Sequence, residues 1–503
     1  MNKTRKSLLN AITSVLLSLI NGLTSIIVIQ KIIEIYGSDF NGLNSTVNQL
    51  INMLLVVEGG FTLAISVSLF APLTNDDFDL INRILSASEK IFKKIGWLFL
   101  LLGTIVTIIA SILIKSNLPY TIIFLSFYMM VVSTFINLYF STKYRIVLQT
   151  DLKEYIINLF QAFFLVISQL IILFVISIEA NMLYIRFVMM MSAVMTSVSI
   201  IIYVKRRYSQ LSFSEIPDFE GIKGTKDVFV QKITSVLYGA FPMIFISMTV
   251  GTKFASVYIV YNNIFSLVKS IIYSVVNAPR IGFGRIISEK DKKYVYKVFS
   301  LYEFSILTIL MYALLCLAVL IRPFMNLYTR NMADQNYNNQ VLIIIMILVM
   351  FFEVIHIPSG NIINMAGKFK IGKRIQTIAA ICLIGMMLVF NIFYGFYGIL
   401  FAILCTAILL AVLEIGYIYK VFFQMPLKAF LTPVLKMTLF CFFVFYFQNN
   451  ICSFEINNFF NLFCYGLLVA LINGGLLLLY IFIFEKNKFL SILAYTKGVF
   501  NKK

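Results

Sequence analysis

The amino-acid sequence predicts an all-α polytopic membrane protein of about fourteen transmembrane helices, and three observations predict it. Of its 503 residues, 60% are hydrophobic and 13% charged, with a mean hydropathy of +0.92. Soluble domains run at roughly 45 to 50% apolar. Apolar runs of spanning length follow one another along the chain, and the basic residues gather in alternate connections between them.

A spanning helix needs about 20 mostly apolar residues, because hydrocarbon offers no partner for backbone N–H and C=O groups. Runs of this kind lie at about 8–30, 45–71, 95–114, 119–141, 155–177, 181–204, 229–250 and 254–279. They continue at about 296–322, 340–366, 373–393, 396–420, 430–448 and 459–484. The basic stretch at residues 2 to 6 precedes the first run without a small-residue cleavage site, so that run reads as a retained helix.

An even number of spans puts both termini on one side. With the N-terminus in the cytoplasm, 33 of the 41 Lys and Arg residues fall in inside segments. Five fall outside (Lys31, Lys115, Lys253, Arg322, Arg330) and three within spans (Arg186, Lys232, Lys269). This bias predicts a multi-pass protein of the bacterial cytoplasmic membrane with both termini cytoplasmic. It also makes the net charge of +19 a matter of topology and excludes nucleic acid as the partner. Trp97 and Tyr203, near cytoplasmic ends of spans, suit interfacial anchoring.

Loop length and motifs then narrow the function. The longest outside connection, about 323 to 340, and the longest inside one, about 205 to 227, are too short to hold a soluble catalytic domain. There is no HExxH, GxSxG or GxxxxGK[ST], and Gly367-Lys368 is followed by Phe369 where a phosphate loop needs a hydroxyl. Six cysteines show no CxxC or zinc spacing. Five of them (Cys316, Cys382, Cys405, Cys441, Cys464) lie in apolar runs and only Cys452 reads as exposed. The expectation is a protein that is not an enzyme, with no cofactor and no metal.

Residues separated by 214 match in one ungapped frame: Gly37 with Gly251, Phe40 with Phe254, Asn48 with Asn262, Asp77 with Asp291 and Glu89 with Glu303. Each pair has equivalent positions relative to the spans. Six spans per repeat predict two pseudo-symmetric six-helix lobes of the same orientation, related by an axis along the membrane normal. The expected organisation is a lobe at 1–204, a cytoplasmic linker at 205–228, a second lobe at 229–420, and two further helices with a basic tail at 421–503.

Local stretches carry a family likeness. They are Tyr36-Gly-Ser-Asp-Phe-Asn-Gly-Leu43, Glu58-Gly-Gly60, Pro72-Leu with the acidic connection after it, and Asn364-Met-Ala-Gly-Lys368. With the two six-helix blocks plus two helices, the chain resembles the Wzx-type and MurJ-type flippases. These form the polysaccharide-exporter branch of the multidrug/oligosaccharidyl-lipid/polysaccharide exporter (MOP) superfamily. The resemblance implies translocation of an undecaprenyl-diphosphate-linked oligosaccharide by alternating access, for capsule or surface polysaccharide. It implies partners in the lipid-linked oligosaccharide, membrane lipids and other polysaccharide-assembly proteins.

A charge at the bilayer centre costs about 2.5 to 3.5 kcal/mol on insertion scales, so ionisable residues inside spans need partners or a wet cavity. They are Glu58, Arg186, Lys232, Lys269, Glu353, His356 and Glu414. Lys269 is the first candidate for a phosphate-binding cation; the alternative is an ion pair or a snorkelling side chain. Glu58, beside two glycines that permit unwinding, is a candidate to pair with Lys269 and exchange it for substrate or a cation, or else forms a structural pair. Arg186 and Lys232 are candidates for the cavity mouth, with interfacial snorkelling as the alternative. Glu353 and His356 share a helix face and are candidates for proton coupling, against the plainer reading of a hydrogen-bonded core histidine. Glu414 reads as a packing or helix-pairing residue. Pro242, Pro279 and Pro358 mark places where helices bend. Two rival functions remain: a cation-coupled multidrug antiporter, for which Glu58 speaks, and an integral-membrane polysaccharide polymerase or glycosyltransferase, against which the short outer loops speak.

Overall fold

A computed structural model describes all residues except 1–2, 59, 76, 220–221, 223–225, 278–282, 284–285, 288, 452–455 and 492–503. Pro279 and Cys452 lie outside the described residues. Among the described residues the chain is all-helical, with no strand. It divides into two compact units, Met1–Ile259 and Val260–Lys503.

The first unit holds α1 (Lys3–Leu54), a 3-10 turn (Leu55–Glu58), α2 (Phe61–Thr74), α3 (Phe78–Leu113), α4 (Tyr120–Ile136), a π turn (Asn137–Ser141) and α5 (Thr142–Thr150). It continues with α6 (Glu154–Ser177), α7 (Leu183–Arg207), α8 (Lys226–Thr249) and the start of α9 (Thr252–Asn277). The second unit holds the rest of α9, α10 (Lys292–Tyr328), α11 (Gln340–Ile355), α12 (Ile357–Met365), α13 (Phe369–Gly416), a π turn (Tyr417–Phe422), α14 (Lys428–Ile451) and α15 (Phe459–Phe484).

Among the described residues, eleven helices are long and apolar enough to cross a membrane. Two of them, Leu9–Glu58 and Phe369–Phe422, are each broken by a glycine with positive φ: Gly37 (φ 82°, ψ 170°) and Gly395 (φ 52°, ψ −129°). An L side chain resists that geometry, and glycine adopts it at little cost. The breaks fall between the runs 8–30 and 45–71, and between 373–393 and 396–420. With the shorter apolar helix Val236–Thr249, every predicted run therefore contains helix, the run 45–71 being divided between α1 and α2 and the run 340–366 between α11 and α12.

Long apolar side chains such as Leu170, Ile392 and Leu471 stand exposed on these helices, as a lipid-facing surface requires. Hydroxyls inside are satisfied by their own helices: Thr107 Oγ1 donates to Gly103 O at 2.7 Å, and Thr406 Oγ1 to Ala402 O at 2.8 Å. In the first unit α1 packs on α6 and α8, α3 on α4, and α7 on α4 and α6. In the second, α11 packs on α13, and α10 on α14 and α15.

The repeat-related segments meet within the first unit. A Cβ on Gly42 would stand 1.8 Å from the Thr252 carbonyl oxygen, so only glycine permits the approach of α1 to the start of α9. Asn41 Nδ2 donates to Ser256 Oγ at 2.7 Å, and the Thr252 hydroxyl donates to the Asp39 carboxylate. Gly37 and Gly251, matched by the offset of 214, both have positive φ. Two connections are shorter than the sequence suggests. Helix α10 runs through Pro323 to Tyr328, and the helical stretch from Tyr120 continues through the π turn to Thr150, taking Lys143 and Arg145 out of the loop.

Candidate functional site

In the first unit α1, α6, α7 and the Asn137–Arg145 stretch line an open cavity of about 460 Å³. The lining combines Leu17, Leu165, Met189 and Ala193 with the polar side chains Ser18, Asn21, Asn137, Arg145, Gln161, Ser192 and Thr196. Ser18 and Asn21 are exposed at its α1 rim. Two hydroxyls of the wall have local acceptors: Ser192 donates to Phe164 O at 3.1 Å and Thr196 to Ser192 O at 2.8 Å. Arg145 Nε and Asn137 Oδ1 are buried without a hydrogen-bond partner. No Asp or Glu lies in the lining.

Sequence reasoning missed Arg145, which it assigned to a cytoplasmic connection. A signal was present. Tyr144, Ile146, Val147 and Leu148 flank it and are all buried, continuing the apolar pattern past the basic pair. The π turn inserts a residue into the helix and shifts the phase of everything after it, which sets the face that α5 presents.

Arg186 on α7 is fully buried, with 0% exposure, so it does not snorkel. Its Nη2 donates to Asn44 O at 2.8 Å and Nη1 approaches Asn48 Oδ1 at 3.5 Å, while Nε has no partner. Among the described residues it forms no ion pair. Glu58 sits where the α-helix gives way to a 3-10 turn, next to Gly60 with φ of 80°, and accepts from the Thr62 hydroxyl. The side chain of Lys232, on α8, lies outside the described residues.

The second unit handles its charges differently. Lys269 on α9 pairs with Glu353 on α11 at 2.8 Å, with both side chains largely buried. Its described counter-ion is Glu353, where the sequence offers Glu58. His356 stands at the break between α11 and α12, where Pro358 occupies the first turn of the new helix. Its Nδ1 lies 2.8 Å from Glu414 Oε2 on α13, and a Cβ on Gly360 would come within 2.6 Å of the same oxygen. Glu353 and His356 are thus neighbours in sequence with separate partners.

No protein-family model matches the sequence, and no curated protein matches it either. Solved structures do match. The lipid II flippase MurJ in an inward closed conformation superposes with a TM-score of 0.68 at 14% identity, covering 93% of this chain and 98% of that one. An inward-facing multidrug resistance MATE family transporter of the MOP superfamily gives 0.59 at 11% identity, covering 83% and 95%. A MATE in the bent conformation gives 0.52 at 12% identity, covering 88% and 97%. The chain has the MurJ and MATE fold. It is a multi-pass α-helical membrane protein.

Proposed function

We propose that this protein is a flippase that moves a diphosphate-linked, lipid-borne oligosaccharide across the bacterial cytoplasmic membrane by alternating access. Capsule or another surface polysaccharide is the product it serves, and other polysaccharide-assembly proteins are its partners. The observation that carries the reading over cation-coupled drug antiport is electrostatic. The first unit presents a polar cavity holding a guanidinium and no carboxylate in its lining, with a second guanidinium, the buried Arg186, that has no acidic partner among the described residues. Such a field favours an anion and repels an organic cation. The fold shared with a lipid II flippase over most of both chains supports it.

On this reading 1–204 and 229–420 act as lobes moving against each other, and both termini are cytoplasmic. Lys269 takes part by exchanging Glu353 for the substrate diphosphate, and Glu353 with His356 offers protonation sites that bias the exchange. Arg186 holds the α1–α7 contact, and Lys232 adds a further positive charge to the sequence of α8.

The test is reconstitution in proteoliposomes with a fluorescent polyprenyl-diphosphate oligosaccharide, scored by its exposure to an added glycosidase. Faster exposure than in protein-free vesicles is expected. Ion-driven ethidium efflux without lipid translocation would establish the antiporter, for which Glu58 at the end of its 3-10 turn is the supporting feature. Cysteine labelling from outside the cell at position 335 tests the topology; labelling from the cytoplasm alone would overturn it.

A further inference from the structure

We infer that the cavity of the first unit is a binding site for a hydroxyl-bearing phosphate ester, with Arg145 as the anion ligand and Asn137 and Gln161 as the groups that read the hydroxyls. The guanidinium offers five donors in a planar fork that matches two phosphate oxygens at once. Arg145 has no carboxylate, carbonyl or amide acceptor of its own among the described residues, and its Nε is buried without a partner. A cation placed in that position without a counter-ion keeps its full attraction for an anion.

The rest of the lining selects the ester over a bare ion. Asn137 Oδ1 is a buried acceptor that lacks a donor, and a phosphate alone at neutral pH has few protons to give it. A sugar hydroxyl supplies one. Gln161, also in the lining, has both a donor and an acceptor, and Ser192 and Thr196 already spend their protons on backbone oxygens, leaving lone pairs free to accept. The volume of about 460 Å³ lies within the range of small-molecule pockets, roughly 300 to 1,000 Å³. The exposed Ser18 and Asn21 leave its α1 edge open to entry.

The source of the ester is either a free sugar phosphate or the head of a lipid. The lipid source rests on the flippase reading; the anion site does not.

The experiment uses the full chain in nanodiscs of zwitterionic lipid and measures binding calorimetrically with glucose 1-phosphate, with glucose as the neutral control. Glucose 1-phosphate is expected to bind and glucose to bind at least about tenfold more weakly. Arg145→Gln should weaken glucose 1-phosphate about tenfold, and Arg145→Lys should restore part of the affinity because charge survives without the fork. Ala193→Phe fills the cavity from α7 without altering Arg145, and should also abolish binding. It carries the test if Arg145→Gln fails to give a monodisperse protein.

Wild-type affinity in both variants, equal binding of glucose and glucose 1-phosphate, or no binding of any phosphate probe would overturn the site. Polyprenyl-diphosphate glucose in the nanodisc should compete with the soluble probe. Absence of competition overturns the lipid source and supports a free sugar phosphate. Translocation unaffected by Arg145→Gln counts against the site as the transport headgroup subsite, whereas Arg145-dependent binding without translocation counts against the flippase alone.

Discussion

Two pairs of the second unit and two arginines of the first hold charge inside apolar helices by different means, although the first unit also pairs Lys143 with Glu89 at 2.8 Å. In the second unit the intramembrane cation Lys269 has Glu353 at 2.8 Å, and His356 has Glu414 at 2.8 Å. In the first unit Arg186 is held by a backbone carbonyl and an amide oxygen, and Arg145 lines a cavity with no ion-pair partner among the described residues. A buried pair cancels its own field and ties two helices together, and it punishes the loss of either member. A buried cation held only by neutral dipoles keeps its field. On the proposed reading, the second unit pairs helices specifically and can exchange partners, and the first attracts an anion.

The contrast is sharpest in what single substitutions should do. Glu353→Ala strands the Lys269 ammonium, and a loss of about 3 to 5 kcal/mol of stability is expected, seen as a collapse of the monodisperse peak after heating in detergent. The double variant Lys269→Met, Glu353→Leu should recover most of it. A single variant as stable as wild type would dissolve the pairing.

Glu414→Ala removes the acceptor of His356 and should cost less, about 1 to 3 kcal/mol by the same assay, since histidine has a neutral form to retreat to. Arg186→Met, in the first unit, leaves no orphan charge. The carbonyl it releases still serves its own helix. A change within about 1 kcal/mol is expected, and a loss as large as that of Glu353→Ala would mean that Arg186 has an acidic partner after all.

The smallest effect is conditional on pH. Asp151, between α5 and α6, accepts from Lys6 at 2.7 Å, from Lys153 at 2.7 Å and from the Tyr208 hydroxyl at 2.6 Å. Burial alone pushes its carboxyl up, and the two ammonium groups and the phenol outweigh this, holding it below the ordinary aspartate value. A depressed folded pKa gives stability that is complete above the unfolded value, about 4, and is lost as pH falls through the folded one. The melting temperature should therefore fall below about pH 4, and that part of the fall should be missing in Asp151→Asn.

Much of this architecture was legible in the sequence because hydrophobicity acts locally. Each run of apolar residues commits its own backbone to a helix whatever its neighbours are, and Gly37 and Gly395 stand between runs because a reversal without a loop needs a residue free to take positive φ. Glu58 beside glycines likewise marked the place where the α-helix gives way, to a 3-10 turn that ends at Glu58.

The identity of charge partners was decided by the tertiary structure alone. Lys269 meets Glu353 across 84 residues, and Arg186 meets Asn44 across 142, contacts that depend on which helices pack and at what phase. Arg145 shows the same limit from the other side. Its composition window reads as a basic connection, yet a π turn five residues long carries the helix onward and turns that charge onto a cavity wall. Burial in lipid is a property of a segment, so a sequence determines it; burial against another helix is a property of a pair, so only the packed fold determines it.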